Sequence, residues 1–304
     1  MGISDLISLL RKHAPRAFSG PAVVRGTAWI DAPLIVMAAY KKAQADGTTP
    51  CVEASISKTV SCAYGLGASH VNLVFDGPTR PAKARTVSTR VIAHEVFAKR
   101  CAVTFLSILQ TDLAMCDRIC VRQLHTFTNL QVSKPFPSYT SILREAKRST
   151  AAKVLIAPHD AEEYIAANMT DDDVAITIDS DALAFGCPRI VQYLGKPNET
   201  WITLQTALDD LQLTQDQFRT LCVVLGNDFS SRIRGVGPVT CLKAVKTLTL
   251  NEFAETYRAD CEWLAEAQHS KEIFELKHIT RASEPCSAQT DSQLHESDSR
   301  SQTQ

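Results

Sequence analysis

The 304-residue sequence is short of the features that would place it in a membrane or outside a cell. No apolar run approaches the ~18 residues that span a bilayer, so a membrane protein is not expected. No basic stretch near the start leads into an apolar segment, so a secretory signal is not expected either. The opening Met-Gly-Ile-Ser-Asp-Leu lacks the Ser or Thr that a myristoylation signal needs where Leu6 stands. The ten cysteines have no framework spacing and read as reduced, mostly buried thiols. Their tightest group, Cys116-x3-Cys120-x4-His125, lacks a fourth ligand and reads as helix packing rather than zinc. Apolar residues at 45% and charged residues at 21% exclude wholesale disorder and fibrous repeats.

Net charge is also missing, at −1 overall, which argues against a uniformly basic nucleic-acid binder. Its distribution says more. Residues 77–159 hold 13 Lys and Arg against 4 Asp and Glu, a net of +9. Residues 160–304 hold 12 against 24, a net of −12. A basic middle beside an acidic remainder requires a reason.

Short apolar runs alternate with helical periods, which predicts an α/β fold with a central, mostly parallel sheet flanked by helices. The predicted strands are Thr27–Asp31, Val71–Asp76, Lys153–Ala157, Val174–Asp179 and Arg189–Leu194. Met1–Lys12 reads as an amphipathic helix capped by Ser4 or Asp5, with Leu6, Leu9 and Leu10 inward. Pro33–Asp46 reads as a second helix and Thr86–Leu109 as a long one. The organisation expected is one domain over 1–282, with a basic helical insertion at 77–150. A tail at 283–304 has little to bury and is expected to be disordered.

Three predicted strands end in acid, at Asp31, Asp76 and Asp179, the last followed by Asp181. In open α/β sheets sites lie beyond the carboxyl ends of the strands, so these acids should converge on one edge. Asp160-Ala161-Glu162-Glu163 follows another strand, and Asp228 leaves an apolar stretch at Gly226. A lone Asp after a strand is commonly a turn or cap residue, and Asp160 with Glu162 could merely complement a helix dipole. Asp171-Asp172-Asp173 reads as a solvated turn before a strand. Five segments delivering acid to one edge favour a site. Clustered carboxylates repel one another unless cations neutralise them, and acid-only donors select hard ions, Mg²⁺ before Mn²⁺. Two such ions can cleave a phosphodiester, with the basic segment holding the polyanion.

These stretches resemble the flap endonuclease/XPG family of structure-specific 5′ nucleases. The resemblance rests on Met1-Gly2-Ile3, Ile30-Asp31-Ala32, Val74-Phe75-Asp76-Gly77-Pro78 and Ala157-Pro158-His159-Asp160-Ala161-Glu162. It continues through Asp179-Ser180-Asp181-Ala182-Leu183-Ala184-Phe185-Gly186, Leu225-Gly226-Asn227-Asp228-Phe229 and Ile233-Arg234-Gly235-Val236-Gly237-Pro238, in family order over roughly residues 1–250. It implies a PIN-like 5′ nuclease core with an inserted helical arch and a helix-two-turn-helix at 225–250. It implies that Asp31, Asp76, Asp160 and Glu162 serve one Mg²⁺, with Glu163 as a register alternative, and that Asp179, Asp181 and Asp228 serve a second. Family members usually have Glu where Asp160 stands.

The resemblance further implies that Lys83 and Arg90, two helical turns apart, reach the scissile phosphate. Arg80, Arg85, Lys99 and Arg100 are implied as general phosphate contacts, and Gly2 as a contact at the site. Gly235 and Gly237 would let the backbone approach a phosphate or a bound K⁺. Lys243 and Lys246 would replace the basic residues that relatives carry where Val239 and Thr240 stand. Met37 occupies a position where many relatives stack a Tyr, with Tyr40 one turn along as the substitute. The tail has no sliding-clamp peptide, which points to a clamp-independent or virus-encoded relative. The implied activity is two-metal hydrolysis at flapped or branched DNA, with 5′ exonuclease action, in replication or repair in the nucleus. The alternatives are a related endoribonuclease and an inactive nucleic-acid scaffold.

Overall fold

The structure is a computed structural model that describes residues 2–18, 20, 23–46, 48, 51–77 and 152–276. The predicted helix Thr86–Leu109, the basic insertion from 78 on, the Cys116–His125 group and the tail lie outside the described residues. Among the described residues no helix is long and apolar enough to cross a membrane.

Six strands form one sheet: β1 (Thr27–Asp31), β2 (His70–Phe75), β3 (Lys153–Ile156), β4 (Val174–Ile176), β5 (Arg189–Gln192) and β6 (Thr200–Thr203), in the order β3-β2-β1-β4-β5-β6. The first five run parallel, and β6 pairs antiparallel with β5. The carboxyl ends of five strands therefore share one edge. The sequence reading missed β6, a four-residue strand too short to carry a clear period.

Each strand feeds two cores because successive side chains face opposite sides of a pleat. In β1, Ala28 and Ile30 enter one core while Trp29 enters the other. In β2, Val71, Leu73 and Phe75 join the first and Val74 the second. The first core is covered by α2 (Ala32–Asp46) and α3 (Val52–Gly65), through Val36, Ile56 and Val60. The second is covered by α1 (Leu6–His13), α4 (Ala161–Asn168), α5 (Asp181–Phe185), α6 (Leu204–Leu211), α7 (Gln215–Leu225), α8 (Pro238–Ala244), α9 (Leu250–Thr256) and α10 (Cys261–Phe274). Fully burying a Phe75 or Leu73 side chain contributes about 2 kcal/mol, so this two-faced apolar pattern holds the layers together.

Two local expectations need correction. The first helix begins at Leu6, not Met1, although Leu6, Leu9 and Leu10 are buried as expected. Residues 3 and 4 are drawn away instead: the Ile3 N–H donates to Ser180 Oγ at 2.9 Å, and the Ser4 N–H donates to Gly226 O at 3.0 Å. Asp5, in the left-handed region with φ 59°, turns the chain into the helix without a side-chain cap bond. The second correction is Asp173, which is not solvated but 5% exposed. Its carboxylate accepts from the Thr27 N–H at 2.6 Å, the Thr170 N–H at 2.8 Å and Trp29 Nε1 at 3.2 Å, pinning β1 to the start of β4.

Candidate metal centre

Strand ends supply the acids. Asp31 closes β1 and is 2% exposed. Asp76 follows β2, and its Oδ1 accepts from the Ala161 N–H at 2.9 Å. That bond satisfies a donor in the first turn of α4, while Asp160 at the cap position makes no side-chain cap bond. Strand β4 stops at Ile176, short of the expected Asp179, because Thr177 turns inward. The Thr177 hydroxyl donates to Asp31 Oδ2 at 2.9 Å and accepts from the Asp179 N–H at 3.0 Å. One hydroxyl thus couples the acid of β1 to the acid after β4. The Asp181 N–H donates to Asp179 Oδ1 at 3.1 Å, folding the Asp179-Ser180-Asp181 turn onto itself.

Electrostatics show which carboxyls meet. Burial raises the Asp31 pKa to about 7, reinforced by Asp76 and Asp179 and opposed by hydrogen bonds from Thr177 and Glu162. Burial also lifts Glu162 well above the ordinary carboxylate range, reinforced by Asp31, Asp179 and Asp76. Asp31, Asp76, Glu162 and Asp179 therefore form one group, and Glu162 rather than Glu163 is hydrogen-bonded to Asp31. Asp181 stands one turn bond away. Asp160 is buried at the start of α4, and Asp228 lies half-buried on the loop after α7, two residues past Gly226, whose carbonyl accepts from the Ser4 N–H.

Two glycines let backbone reach this edge. A Cβ on Gly2, whose φ is +95°, would overlap Asp179 Oδ1 and stand 2.6 Å from Ser180 Oγ. A Cβ on Gly77 would overlap Ala157 O. Only glycine permits such approaches. Thr177 and Ser180 were not singled out in the sequence, since a Thr ending an apolar run reads as an ordinary strand residue.

Among the described residues no three His, Cys, Asp or Glu side chains stand in metal-holding geometry. The donor chemistry nevertheless fits hard cations. Every group is a carboxyl oxygen, and their mutual repulsion in a buried setting is what a divalent charge would relieve.

The remaining sequence candidates fall into two sets. Lys83, Arg90, Arg80, Arg85, Lys99 and Arg100 lie outside the described residues. Tyr40 sits on α2, with its side chain also outside the described set, and Met37 on the same helix is 38% exposed. Further along the chain, α7 ends at Leu225 and α8 starts with Gly237 at its cap and Pro238 in its first turn. Gly235 adopts φ +86°, and a Cβ on either Gly235 or Gly237 would meet nothing within 4 Å. Lys243 and Lys246 are exposed beyond them.

Residues 152–228 match the XPG I-region family model. The chain is 37% identical over 106 residues to flap endonuclease 1 of Chlamydomonas reinhardtii, covering 33% of this chain and 27% of that protein. It is 30% identical over 146 residues to flap endonuclease 1 of Zea mays, covering 44% of this chain and 38% of that protein. These alignments thus span less than two-fifths of the relatives' length. A longer match, to flap endonuclease 1 of Phytophthora infestans, is 25% identical and covers 93% of this chain and 79% of that protein. Among solved structures, the catalytic core of Rad2 in complex with DNA substrate superposes with a TM-score of 0.59 at 15% identity, covering 93% of this chain and 89% of that one. Flap endonuclease-1 from Methanococcus jannaschii superposes with a TM-score of 0.50 at 17% identity, covering 83% and 78%. The shared architecture is the mostly parallel, helix-flanked sheet of these nuclease cores.

Proposed function

We propose that the chain, whose residues 152–228 match the XPG I-region model, is a member of the XPG family and a metal-dependent 5′ nuclease hydrolysing phosphodiesters at flapped or branched DNA. One observation carries the reading: the ends of three adjacent parallel strands bring Asp31, Asp76 and Asp179 together with Glu162 in one desolvated group. A buried group of acids destabilises a fold, and such groups cluster at functional sites.

Asp31, Asp76, Asp160 and Glu162 would hold one Mg²⁺, and Asp179, Asp181 and Asp228 a second, with Mn²⁺ able to substitute. Such ions polarise a phosphodiester and make hydroxide available at neutral pH. The chain's own part is to orient these carboxylates, and Thr177 does so by fixing Asp31 against the Asp179 turn. Lys83 and Arg90 would hold the scissile phosphate, with Arg80, Arg85, Lys99 and Arg100 along the displaced strand. Duplex would rest on the 225–250 segment, where the open backbone at Gly235 and Gly237 accepts a phosphate or K⁺ and Lys243 and Lys246 add charge. Gly2 and Tyr40 would meet substrate near the cut. Phosphate contacts carry no base code, so selection is by shape. The setting proposed is replication or repair in the nucleus, without a sliding-clamp peptide.

The test is a panel of labelled flap, gap, nicked and single-stranded substrates, in DNA and in RNA, with Mg²⁺, Mn²⁺ or EDTA. Cleavage at DNA flap junctions that EDTA abolishes is expected. Cleavage of RNA alone would transfer the reading to an endoribonuclease. Binding without cleavage under either ion would make the chain a scaffold and end the proposal.

A further inference from the structure

The carboxyl edge of the sheet carries a second kind of surface, next to the acids. Ile178, two residues past the end of β4, is 40% exposed, and Tyr193, the residue after β5, is 46% exposed. The β4–β5 ladder pairs Ala175 with Ile190 and Ile176 with Val191 and ends there, with Ile178 and Tyr193 just beyond the two strand ends. Two bonds past the ladder keep the segments together: the Thr177 N–H donates to Val191 O at 3.2 Å, and Gln192 Nε2 donates to Ile178 O at 2.9 Å.

Tyr193 sits there at a conformational cost. Its φ of 57° is left-handed, a region where Gly, Asn or Asp is at home and a bulky side chain is an outlier. The surroundings enforce it. Val191 and Gln192 are buried immediately before it, and the Lys196 N–H donates to Tyr193 O at 2.9 Å. Gly195, with φ +69°, donates its N–H to Glu199 Oε2 at 2.7 Å, and Glu199 Oε1 accepts from Trp201 Nε1 at 2.8 Å. A strained residue that stays 46% exposed adds little to the core, and strain of this kind collects at ligand sites.

We propose that Tyr193, flanked by Ile178, is a stacking platform for an unpaired base of the strand whose phosphodiester is cut. The proposal rests on the nuclease reading, since it takes its occupant from the chemistry of the adjoining acids. Strands lie ~4.8 Å apart, so the β5 end stands roughly 10 Å from the β1 end that carries Asp31, about one or two nucleotide steps. A flat aromatic face accepts any base, which suits a site selecting by shape. Exposed Lys196, three residues on, supplies charge for the phosphate that follows.

The experiment compares full-length wild type with Tyr193→Phe, Tyr193→Ala and Tyr193→Asn. Binding is read with a single-stranded 2-aminopurine oligonucleotide in EDTA, and turnover with a 5′-flap substrate in Mg²⁺. Tyr193→Phe should match wild type within about twofold. Tyr193→Ala and Tyr193→Asn should weaken binding about tenfold and lose the 2-aminopurine quenching, with KM raised and kcat nearly unchanged. Tyr193→Asn should also melt at or above the wild-type temperature, because Asn suits the backbone. This separates the platform from a turn residue even if the alanine variant unfolds. Wild-type binding by the Asn variant overturns the proposal, as does equal loss in the Phe variant. Tyr193-dependent quenching in a chain that never cleaves would sink the nuclease reading and leave the platform standing.

Discussion

Asp173 and Asp31 are almost equally buried, at 5% and 2% exposed, yet they occupy opposite edges of one sheet and do opposite things. Asp173 precedes β4 and accepts three N–H bonds, two of them from β1. Asp31 ends β1 among Asp76, Glu162 and Asp179, with the Thr177 hydroxyl as its donor outside the acids. Donors around a buried carboxylate make it a fastener, whereas acids around it make it a candidate for a cation site. Burial alone does not distinguish the two.

The largest effect expected from breaking this contrast is catalytic. Asp179→Ala with Asp181→Ala should lower flap cleavage by at least about 10³-fold while DNA binding in EDTA persists, since these carboxylates are proposed to act only through bound ions. Unchanged turnover in a gel assay would refute the site. Asp173→Ala should do the reverse. It strands buried donors and should cost about 3 kcal/mol in urea denaturation, with the activity per folded molecule preserved.

The pH dependence sharpens the contrast further. An Asp whose pKa rises from about 4 unfolded to about 7 folded keeps its proton longer in the native state. The metal-free protein therefore loses stability as pH climbs between those values, by a few kcal/mol at most, and levels off above them. Asp31→Asn should flatten that slope in chelator-treated samples. At pH 7.5 saturating Mn²⁺ should raise the wild-type melting temperature, by about 2.7 kcal/mol of stability for each site at a hundred times Kd, and raise that of the double alanine variant less, since only its first ion site is intact.

The smallest effect belongs to the hydroxyl between the two acids. Thr177→Val keeps the shape but removes the donor to Asp31 and the acceptor for the Asp179 N–H, so kcat should fall about tenfold at a stability cost of about 1 kcal/mol. An unaltered kcat would mean that the carboxylates orient one another without it.

Much of the frame was legible because a buried parallel strand is an unbroken apolar run. The prediction Thr27–Asp31 matches β1 residue for residue, and β2, β3 and β5 differ by one or two positions. The acids were legible for the same reason, since each follows such a run. β4 was read three residues too long because Ile178 continues the apolar pattern, although the chain has already turned at Thr177. The start of α1 was misplaced because its competitors, Ser180 and Gly226, are 177 and 222 positions away from Ile3 and Ser4. Asp173 was misread because three consecutive acids look like a solvated turn, and its donors in β1 lie more than 140 residues earlier.

Local patterning thus determined which segments are strands and helices, and that their ends carry acid. That information lies within a few neighbouring residues, in side-chain period and in glycine or proline. Which acids are desolvated together, which one is fastened by amide donors, and which exposed ring is held in a left-handed turn were decided only by the tertiary structure. Desolvation and hydrogen bonding depend on groups that the chain brings together from far apart, and no local stretch of sequence contains them.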